Sequence, residues 1–361
     1  MDINWLIEME SKLHFDFNTQ QTVLKRIAAI DAYQSYWKLD QVDELLFLKQ
    51  MKTAVMLEST GSSTRIEGST LTNEEIESVL KNIKITQLKT RDEQEVVGYY
   101  DVLEIISEQY NEIPISESYI GQLHGILLKH SAKDQRHRGS YKSLSNQVVA
   151  ASPGGTQRIV FNTTAPHLTP PAMQELVNWT VNAFEKDELH PLLIIAVFVY
   201  EFLSIHPFQD GNGRLSRLLT TLLLLKKGYD FVQYISFENL IEERKKDYYR
   251  VLMDGQQKRG AQDEIIDKWV VFFLDCLLTL TQRLTEKRKE FLALKAYLNE
   301  RQKKIVELVK EEPSVQISDL QKLMPEIPRS TLKKDLNILV NRRLLIQVGQ
   351  GRGVRYFAAD E

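Results

Sequence analysis

The sequence predicts a mainly α-helical protein, with one β-hairpin set into a helical core and a small module of different make-up at the C-terminal end. Three observations lead there. Apolar residues recur at three- and four-residue spacing along most of the chain. Strand-like runs flanking turn residues occur in one central interval, residues 146–161. Beyond residue 300, three short helical periods are followed by two strand-like runs around Gly349-Gln350-Gly351-Arg352-Gly353. The chain has 361 residues, 43% of them apolar and 26% charged, which is enough for two or three domains of ordinary globular composition.

In order, Thr22 to Met56 carry helix formers in helical period, and Gly61-Ser62-Ser63 predicts a break after them. Thr72-Asn73-Glu74-Glu75 reads as a capping box that starts a helix through Ile76, Val79 and Leu80. Ile120, Leu123, Ile126 and Leu127 mark another helix; Met173, Leu176, Val177 and Phe184 mark a further one, opened by Pro170-Pro171. Between them, Asn146 to Ala151 and Gln157 to Phe161 form a hairpin across Ser152-Pro153-Gly154-Gly155-Thr156. The most apolar segments, Pro191 to Ile205 and Trp269 to Leu280, fall short of the ~20 residues a membrane span requires and read as buried helices. Asp267 to Asn299 supply one or two helices. Arg301 to Glu311, Ile317 to Met324 and Arg329 to Asn341 are helical, and Leu344 to Val348 and Val354 to Phe357 are strands. That is the order of a winged helix-turn-helix. Three regions follow: an N-terminal helical region 1–90, a core 91–285 and the C-terminal module 286–361.

A net charge of -3 argues against a nucleic-acid coat or a membrane-surface protein. Charge is concentrated locally, since Arg329 to Tyr356 holds seven Lys or Arg residues against the single acid Asp335. The lone cysteine, Cys276, excludes an intrachain disulfide and any multi-cysteine metal site, and reads as a buried thiol. Met1-Asp2-Ile3-Asn4-Trp5 lacks the basic start and apolar run of a signal peptide, so a cytoplasmic protein is expected.

The chemistry concentrates in His206-Pro207-Phe208-Gln209-Asp210-Gly211-Asn212-Gly213-Arg214-Leu215-Ser216-Arg217. Gly211 and Gly213 allow positive φ and close backbone approach to a ligand. The helix expected from Leu215 to Leu225 aims its N-terminus, with unpaired N–H groups and partial positive charge, into the same loop. Arg214 and Arg217, one turn apart, can face one anion. This reads as a polyphosphate cradle without the Walker pattern. Asp210 offers a hard oxygen suited to Mg²⁺, which binds through one or two carboxylates plus phosphate oxygens. His206, near the end of the preceding helix, can accept a proton from an attacking hydroxyl.

The string matches the Fic motif, His-Pro-Phe-x-Asp-Gly-Asn-Gly-Arg-x-x-Arg, at every specified position; at ~1/20 per position, chance matches are of order 10⁻¹² per window. The chain is identified as resembling the Fic family over roughly residues 45–280. The resemblance includes Leu123-His124, then Gly139-Ser140-Tyr141-Lys142 where the family more often ends in Arg, the hairpin as a flap, and Lys246-Asp247-Tyr248-Tyr249. It implies a Fic-type helical core and transfer of AMP from ATP to a side-chain hydroxyl of a target protein. His206 would be the general base and Asp210 the Mg²⁺ ligand. The backbone at Gly211, Asn212 and Gly213 would hold the α-phosphate, Arg214 and Arg217 the outer phosphates, and Tyr249 would lie near the base. The flap at Val148 and Val149 would dock the target by strand addition. Doc-like kinases have Lys where this chain has Gly213, so the resemblance favours AMP transfer. A homodimer is the expected assembly.

Ser63-Thr64-Arg65-Ile66-Glu67-Gly68 matches the family's N-terminal inhibitory pattern, Ser/Thr-x-x-x-Glu-Gly/Asn. The resemblance implies that Glu67 pairs with Arg217 in place of the γ-phosphate, and that it can also support removal of AMP. In the C-terminal module, Arg329, Lys333, Lys334 and Arg352 are candidate DNA contacts; a docking or dimerisation module is the other reading. Two functions therefore stand: an autoinhibited AMP transferase, or a DNA-binding regulator whose core senses nucleotide.

Overall fold

The computed structural model describes residues 9–39, 45–82, 88–131, 133–151, 157–261, 264–296, 298–312, 314–341, 344–349 and 351–358. The chain divides into two compact units, Met1–Leu39 with Lys52–Gln282, and Asp40–Met51 with Arg283–Glu361. The N-terminal helical region thus belongs largely to the same unit as the core.

The first unit contains α1 (Phe17–Leu39), α2 (Leu45–Ile66), α3 (Asn73–Asn82), α4 (Arg91–Gln109) and α5 (Glu117–Leu127). The hairpin β1 (Gln147–Ala151) and β2 (Gln157–Asn162) comes next, then α6 (Thr169–Lys186), α7 (Pro191–Ile205) and α8 (Asn212–Lys226). α9 (Phe237–Glu243), α10 (Lys245–Gln256) and α11 (Asp267–Ala296) follow; unit boundaries fall inside both α2, before Lys52, and α11, after Gln282. Its centre is the pair α7 and α8. α7 is capped by the His190 ring and has Pro191 in its first turn. Leu192 and every residue from Ile194 to Ile205 are buried, as expected of a helix apolar all round. α8 is buried at Asn212 and from Arg214 to Leu225. α6 packs on α7, and α4 packs on α8.

The periodic stretch Thr22 to Met56 proves to be two helices, α1 and α2, separated by residues 40–44, which are outside the described set. The break expected at Gly61-Ser62-Ser63 does not occur, and α2 runs on to Ile66. These small residues face inward rather than turning the chain. Ser62 and Ser63 are fully buried, Thr60 and Thr64 donate to backbone oxygens one turn back, and a Cβ at Gly61 would crowd Arg65 and Asn73. The capping box is present as read: Thr72 N–H donates to Glu75 at 2.8 Å, and Glu75 N–H to the Thr72 hydroxyl at 3.3 Å.

β1 and β2 pair antiparallel, with an irregularity between Val148 and Val149. The turn residues 152–156, and the side chains of Val148 and Val149, are outside the described set. Asp267–Ala296 is one helix, and Cys276 is buried within it.

The second unit contains α12 (Glu300–Glu311), α13 (Ile317–Leu323) and α14 (Arg329–Asn341), followed by the hairpin β3 (Leu345–Val348) and β4 (Arg355–Ala358). Ile305, Val309, Leu320, Leu332, Leu336 and Leu339 fill its core. Val315 and Tyr356 exchange backbone hydrogen bonds of 2.8 and 2.7 Å, which tie β4 to the segment before α13. Among the described residues no helix is long and apolar enough to cross a membrane.

Candidate functional site

The site forms where α7 ends and α8 begins. His206 is the C-cap of α7, in the left-handed region at φ 52, rather than within its last turn. Its N–H still donates to Phe202 at 2.9 Å, and Nδ1 lies 3.3 Å from the Leu203 carbonyl. A ring held this way carries its proton on Nδ1 and leaves the Nε2 lone pair free. Burial pushes the imidazole pKa down; the Leu203 carbonyl works against that and the Lys142 charge adds to it, leaving it at about 4. The ring is neutral at ordinary pH.

α8 starts at Asn212, earlier than the expected Leu215, so the motif itself supplies the helix N-terminus. Gly211 is the N-cap at φ 80 and brings no side chain to cap it, so the first-turn N–H groups are open to an anion. Asn212 braces the loop with its side chain: Oδ1 accepts from Phe208 N–H at 2.9 Å, and Nδ2 donates to Phe208 O at 2.7 Å. Gly213 is helical and needs no positive φ. Its lack of a side chain serves close approach instead, because a Cβ there would overlap Glu67 Oε1.

Glu67, just past the end of α2, donates its N–H to Thr64 O at 3.1 Å, and its carboxylate accepts from Arg217 Nη2 at 2.8 Å. Arg217 is also held by Ser63, through Nε to the hydroxyl at 2.8 Å and Nη2 to the carbonyl at 3.0 Å. Desolvation pushes the Glu67 carboxyl up, but the charge and hydrogen bond of Arg217, with Arg214 and His206 behind them, bring its pKa below the usual value. Burial pushes Arg217 down, and Glu67 more than reverses that. The pair is therefore an ionised one at ordinary pH. The end of α2 is fixed by Arg65, which pairs with Glu242 at 2.8 Å, and by Lys245, which donates to Ile66 O at 2.6 Å.

Arg214 does not converge with Arg217 on one partner. Its Nη2 lies 3.2 Å from Asp210 Oδ1, and its Nη1 lies 3.3 Å from Glu95. Asp210 is part-buried; desolvation raises its pKa, and Arg214, the Gly211 N–H, Arg91 and Lys133 together bring it below the usual carboxylate range. No group of three or more His, Cys, Asp or Glu is placed to hold a metal among the described residues. Asp210 alone suits a cation that draws its other oxygens from a polyphosphate and water.

The site is braced by residues named above only through the resemblance. His124 is fully buried on α5; its Nε2 lies 3.0 Å from Asp210 O, and its Nδ1 accepts from Gly139 N–H at 2.9 Å. Its ring stacks on Phe208 at 3.8 Å, and burial lowers its pKa to about 4. Lys142 Nζ donates to Asn146, Thr163 and the Ile205 carbonyl, each at 2.9 Å, and so joins both roots of the hairpin to the end of α7. Burial lowers the Lys142 pKa to about 8. Tyr248 is buried against Trp269 and Phe272, while the half-buried Tyr249 meets Tyr248 edge-on at 5.3 Å. Burial, and after it the Glu67 charge, raise the Tyr249 pKa.

Glu95 and Arg91 were not singled out in the sequence. As an i,i+4 pair at the start of a capped helix they look like a solvated ion pair, and nothing local marks them otherwise. In the second unit, Arg329, Lys333 and Lys334 are exposed on α14; the Arg352 side chain is outside the described set.

The Fic/DOC family model matches residues 114–224, which include the whole motif but neither Glu67 nor the second unit. The protein adenylyltransferase Fic of Drosophila grimshawi is 28% identical over 231 residues, 63% of this chain and 43% of that protein. The protein of the same name from Drosophila willistoni is 28% identical over 258 residues, 70% of this chain and 46% of its own. The chain therefore spans less than half the length of these curated relatives. Among solved structures, a Fic family protein from Desulfovibrio desulfuricans G20 aligns with TM-score 0.61 at 21% identity, over 93% of this chain and 95% of that one. A Fic domain containing signaling protein from Bacteroides thetaiotaomicron VPI-5482 aligns with TM-score 0.60 at 26% identity, over 73% and 97%. The fold is the one these proteins share: a mainly helical core with a small β-hairpin.

Proposed function

This chain belongs to the Fic/DOC family through residues 114–224, and from that premise we propose that it is a protein adenylyltransferase, restrained by Glu67, which moves AMP from ATP to a hydroxyl of a target protein. The observation that carries the reading is the position of His206. A neutral imidazole with Nδ1 engaged by Leu203 stands at the mouth of an uncapped helix N-terminus. The N–H groups of the first turn of α8 receive the α-phosphate. The target hydroxyl attacks the α-phosphorus, and its proton passes to His206 Nε2. The new bond joins the target oxygen to phosphorus, the bond from phosphorus to the bridging oxygen breaks, and pyrophosphate leaves. Asp210 would hold Mg²⁺ against the phosphates, and that ion would neutralise charge on the leaving group. Arg214 and Arg217 bind the outer phosphates, and the half-buried Tyr249 lies on the side of the base. The hairpin at Val148 and Val149 presents backbone to an extended target segment.

Glu67 occupies Arg217 and the space over Gly213, so it opposes the γ-phosphate by charge and by volume. The same carboxylate can orient a water against an AMP-modified hydroxyl, which adds a removal activity to the proposal.

One observation favours the second reading, of a DNA-binding regulator. Asp335, the single acid of the basic stretch, is buried and engaged by Arg301 at 2.5 Å and Gln302 at 2.9 Å. It leaves the exposed Arg329, Lys333 and Lys334 unopposed, as a winged helix requires of its DNA face.

The two readings separate with ATP labelled at the α-phosphate and a cell lysate. The transferase reading expects a labelled protein with the chain in which Glu67 is replaced by Gly, and none once His206→Ala is added. Calorimetric ATP binding should persist in both, because a general base contributes to chemistry rather than to ground-state affinity. Labelling that survives His206→Ala overturns the assignment.

A further inference from the structure

Four charged groups close a ring around the outer end of the site. Arg91 opens α4 directly after its Thr90 cap, and Glu95 lies one turn on. Arg91 Nε meets Glu95 Oε1 at 2.6 Å, Glu95 Oε2 lies 3.3 Å from Arg214 Nη1, Arg214 Nη2 lies 3.2 Å from Asp210 Oδ1, and Asp210 Oδ2 lies 3.6 Å from Arg91 Nη2. Two of the four belong to the motif and two do not. Exposure is graded: the Arg91 side chain is 62% open, Asp210 28%, Glu95 8% and Arg214 2%.

Glu95 touches Arg214 without satisfying it. Arg214 Nε and Nη1 are buried and have no hydrogen-bond partner among the described residues, so the Glu95 contact is one of charge and not of aligned donation. A buried guanidinium with two unspent N–H positions is poised for an acceptor the protein does not supply. It already donates to Asp210, one turn back on the chain, through Nη2 alone. Without a second carboxylate, the preferred geometry would be a bidentate Arg–carboxylate pair, which spends the guanidinium fork and both Asp210 oxygens together.

Resting on the nucleotide-transfer reading, we infer that Glu95 is a positioning residue for the polyphosphate end of the nucleotide. It holds the far side of the Arg214 guanidinium, so Arg214 meets Asp210 through Nη2 alone. Nε and Nη1 stay available to the phosphates beyond the α-phosphate, and Asp210 Oδ2, loosely faced by Arg91 at 3.6 Å, stays available to their accompanying cation. Arg91, at the rim, fixes Glu95 in turn. The α-phosphate sits on the helix N-terminus and does not depend on this ring.

That division supplies the test. In the full chain carrying Glu67→Gly, the affinities of ATP, ADP and AMP are measured by calorimetry, before and after Glu95→Gln. ATP and ADP should weaken roughly ten-fold, the scale of one charge-assisted contact, while AMP stays within about two-fold. Arg91→Ala, a change at an exposed side chain that the fold tolerates, should shift ATP in the same direction by a smaller factor and leave AMP alone. Equal weakening of all three nucleotides reports a general packing defect and overturns the inference, as does unchanged ATP affinity in both variants. If the parent binds ATP no more tightly than AMP, the nucleotide reading itself fails and takes this inference with it.

Discussion

If Glu67 restrains the site as proposed, the wild type should label little and Glu67→Gly should be an active AMP transferase, and the geometry sets the scale. Arg217 Nη2 gives Glu67 one charge-assisted hydrogen bond of 2.8 Å, while Ser63 holds the same guanidinium through two others. Removing the carboxylate therefore frees a donor without releasing the group that carries it. A hydrogen bond of this kind contributes ~1.5–3 kcal/mol, equal to about one to two decades in ATP affinity. Volume adds to charge, because Glu67 Oε1 lies against Gly213 where the phosphates must approach. Glu67→Gln keeps most of that volume and removes the charge, so it should release less activity than Glu67→Gly. There is a stability signature as well. Arg217 is 2% exposed, and without Glu67 it becomes an under-compensated buried cation, so the nucleotide-free variant should melt several degrees below the wild type. Saturating ATP should reverse that order. The assays are labelling from ATP labelled at the α-phosphate and thermal melts with and without nucleotide. A Glu67→Gly protein that labels no more than the wild type refutes the restraint.

Three further expectations concern the base, the hairpin and the second unit. Because burial holds His206 at about 4, the base stays unprotonated well below the ordinary histidine value of roughly 6.5. Transfer by the Glu67→Gly protein should therefore persist through pH 6 and fall only as the pH drops towards the lowered value; loss of activity centred near 6.5 would show a different group titrating. Val149→Pro removes a backbone donor from β1 and should reduce labelling of the target while ATP affinity is unchanged; undiminished labelling would remove the hairpin from target docking. If α14 meets DNA, Lys333→Ala and Lys334→Ala should each weaken binding across all sequences and reduce the salt slope by about one, and a gel-shift series in salt reads this directly.

Legibility in the sequence followed the range of the interactions. The loop from His206 to Arg217 is local, and its glycines, acid and two arginines could be read in place. The Glu67–Arg217 pair spans 150 positions and was legible only because each partner sits in a recognisable string. Glu95 has no such string; its role depends on the packing of α4 against α8, and an acid four residues after an arginine looks like any solvated helix surface. The run Gly61-Ser62-Ser63 misled for a related reason. Small polar residues favour turns when exposed, but here burial against Arg217 and Asn73 makes smallness a packing requirement, and the helix continues. The direction of Arg214 was equally hidden, since helical spacing shows which residues share a face but not which acid each side chain will find.

The left-handed backbone at position 206 bears on how such a chain can change over generations. A residue with a β-carbon held at φ 52 carries a conformational penalty of roughly 1–2 kcal/mol, which glycine would not incur. Selection for stability alone would not place histidine there. On the transferase reading, once the activity ceases to be useful, a drift to Gly or Asn at this single codon would silence the proposed base and relax the backbone together. Inactive descendants with an intact nucleotide cradle should therefore be easy to reach and slow to revert, because the return path to histidine runs uphill in folding free energy.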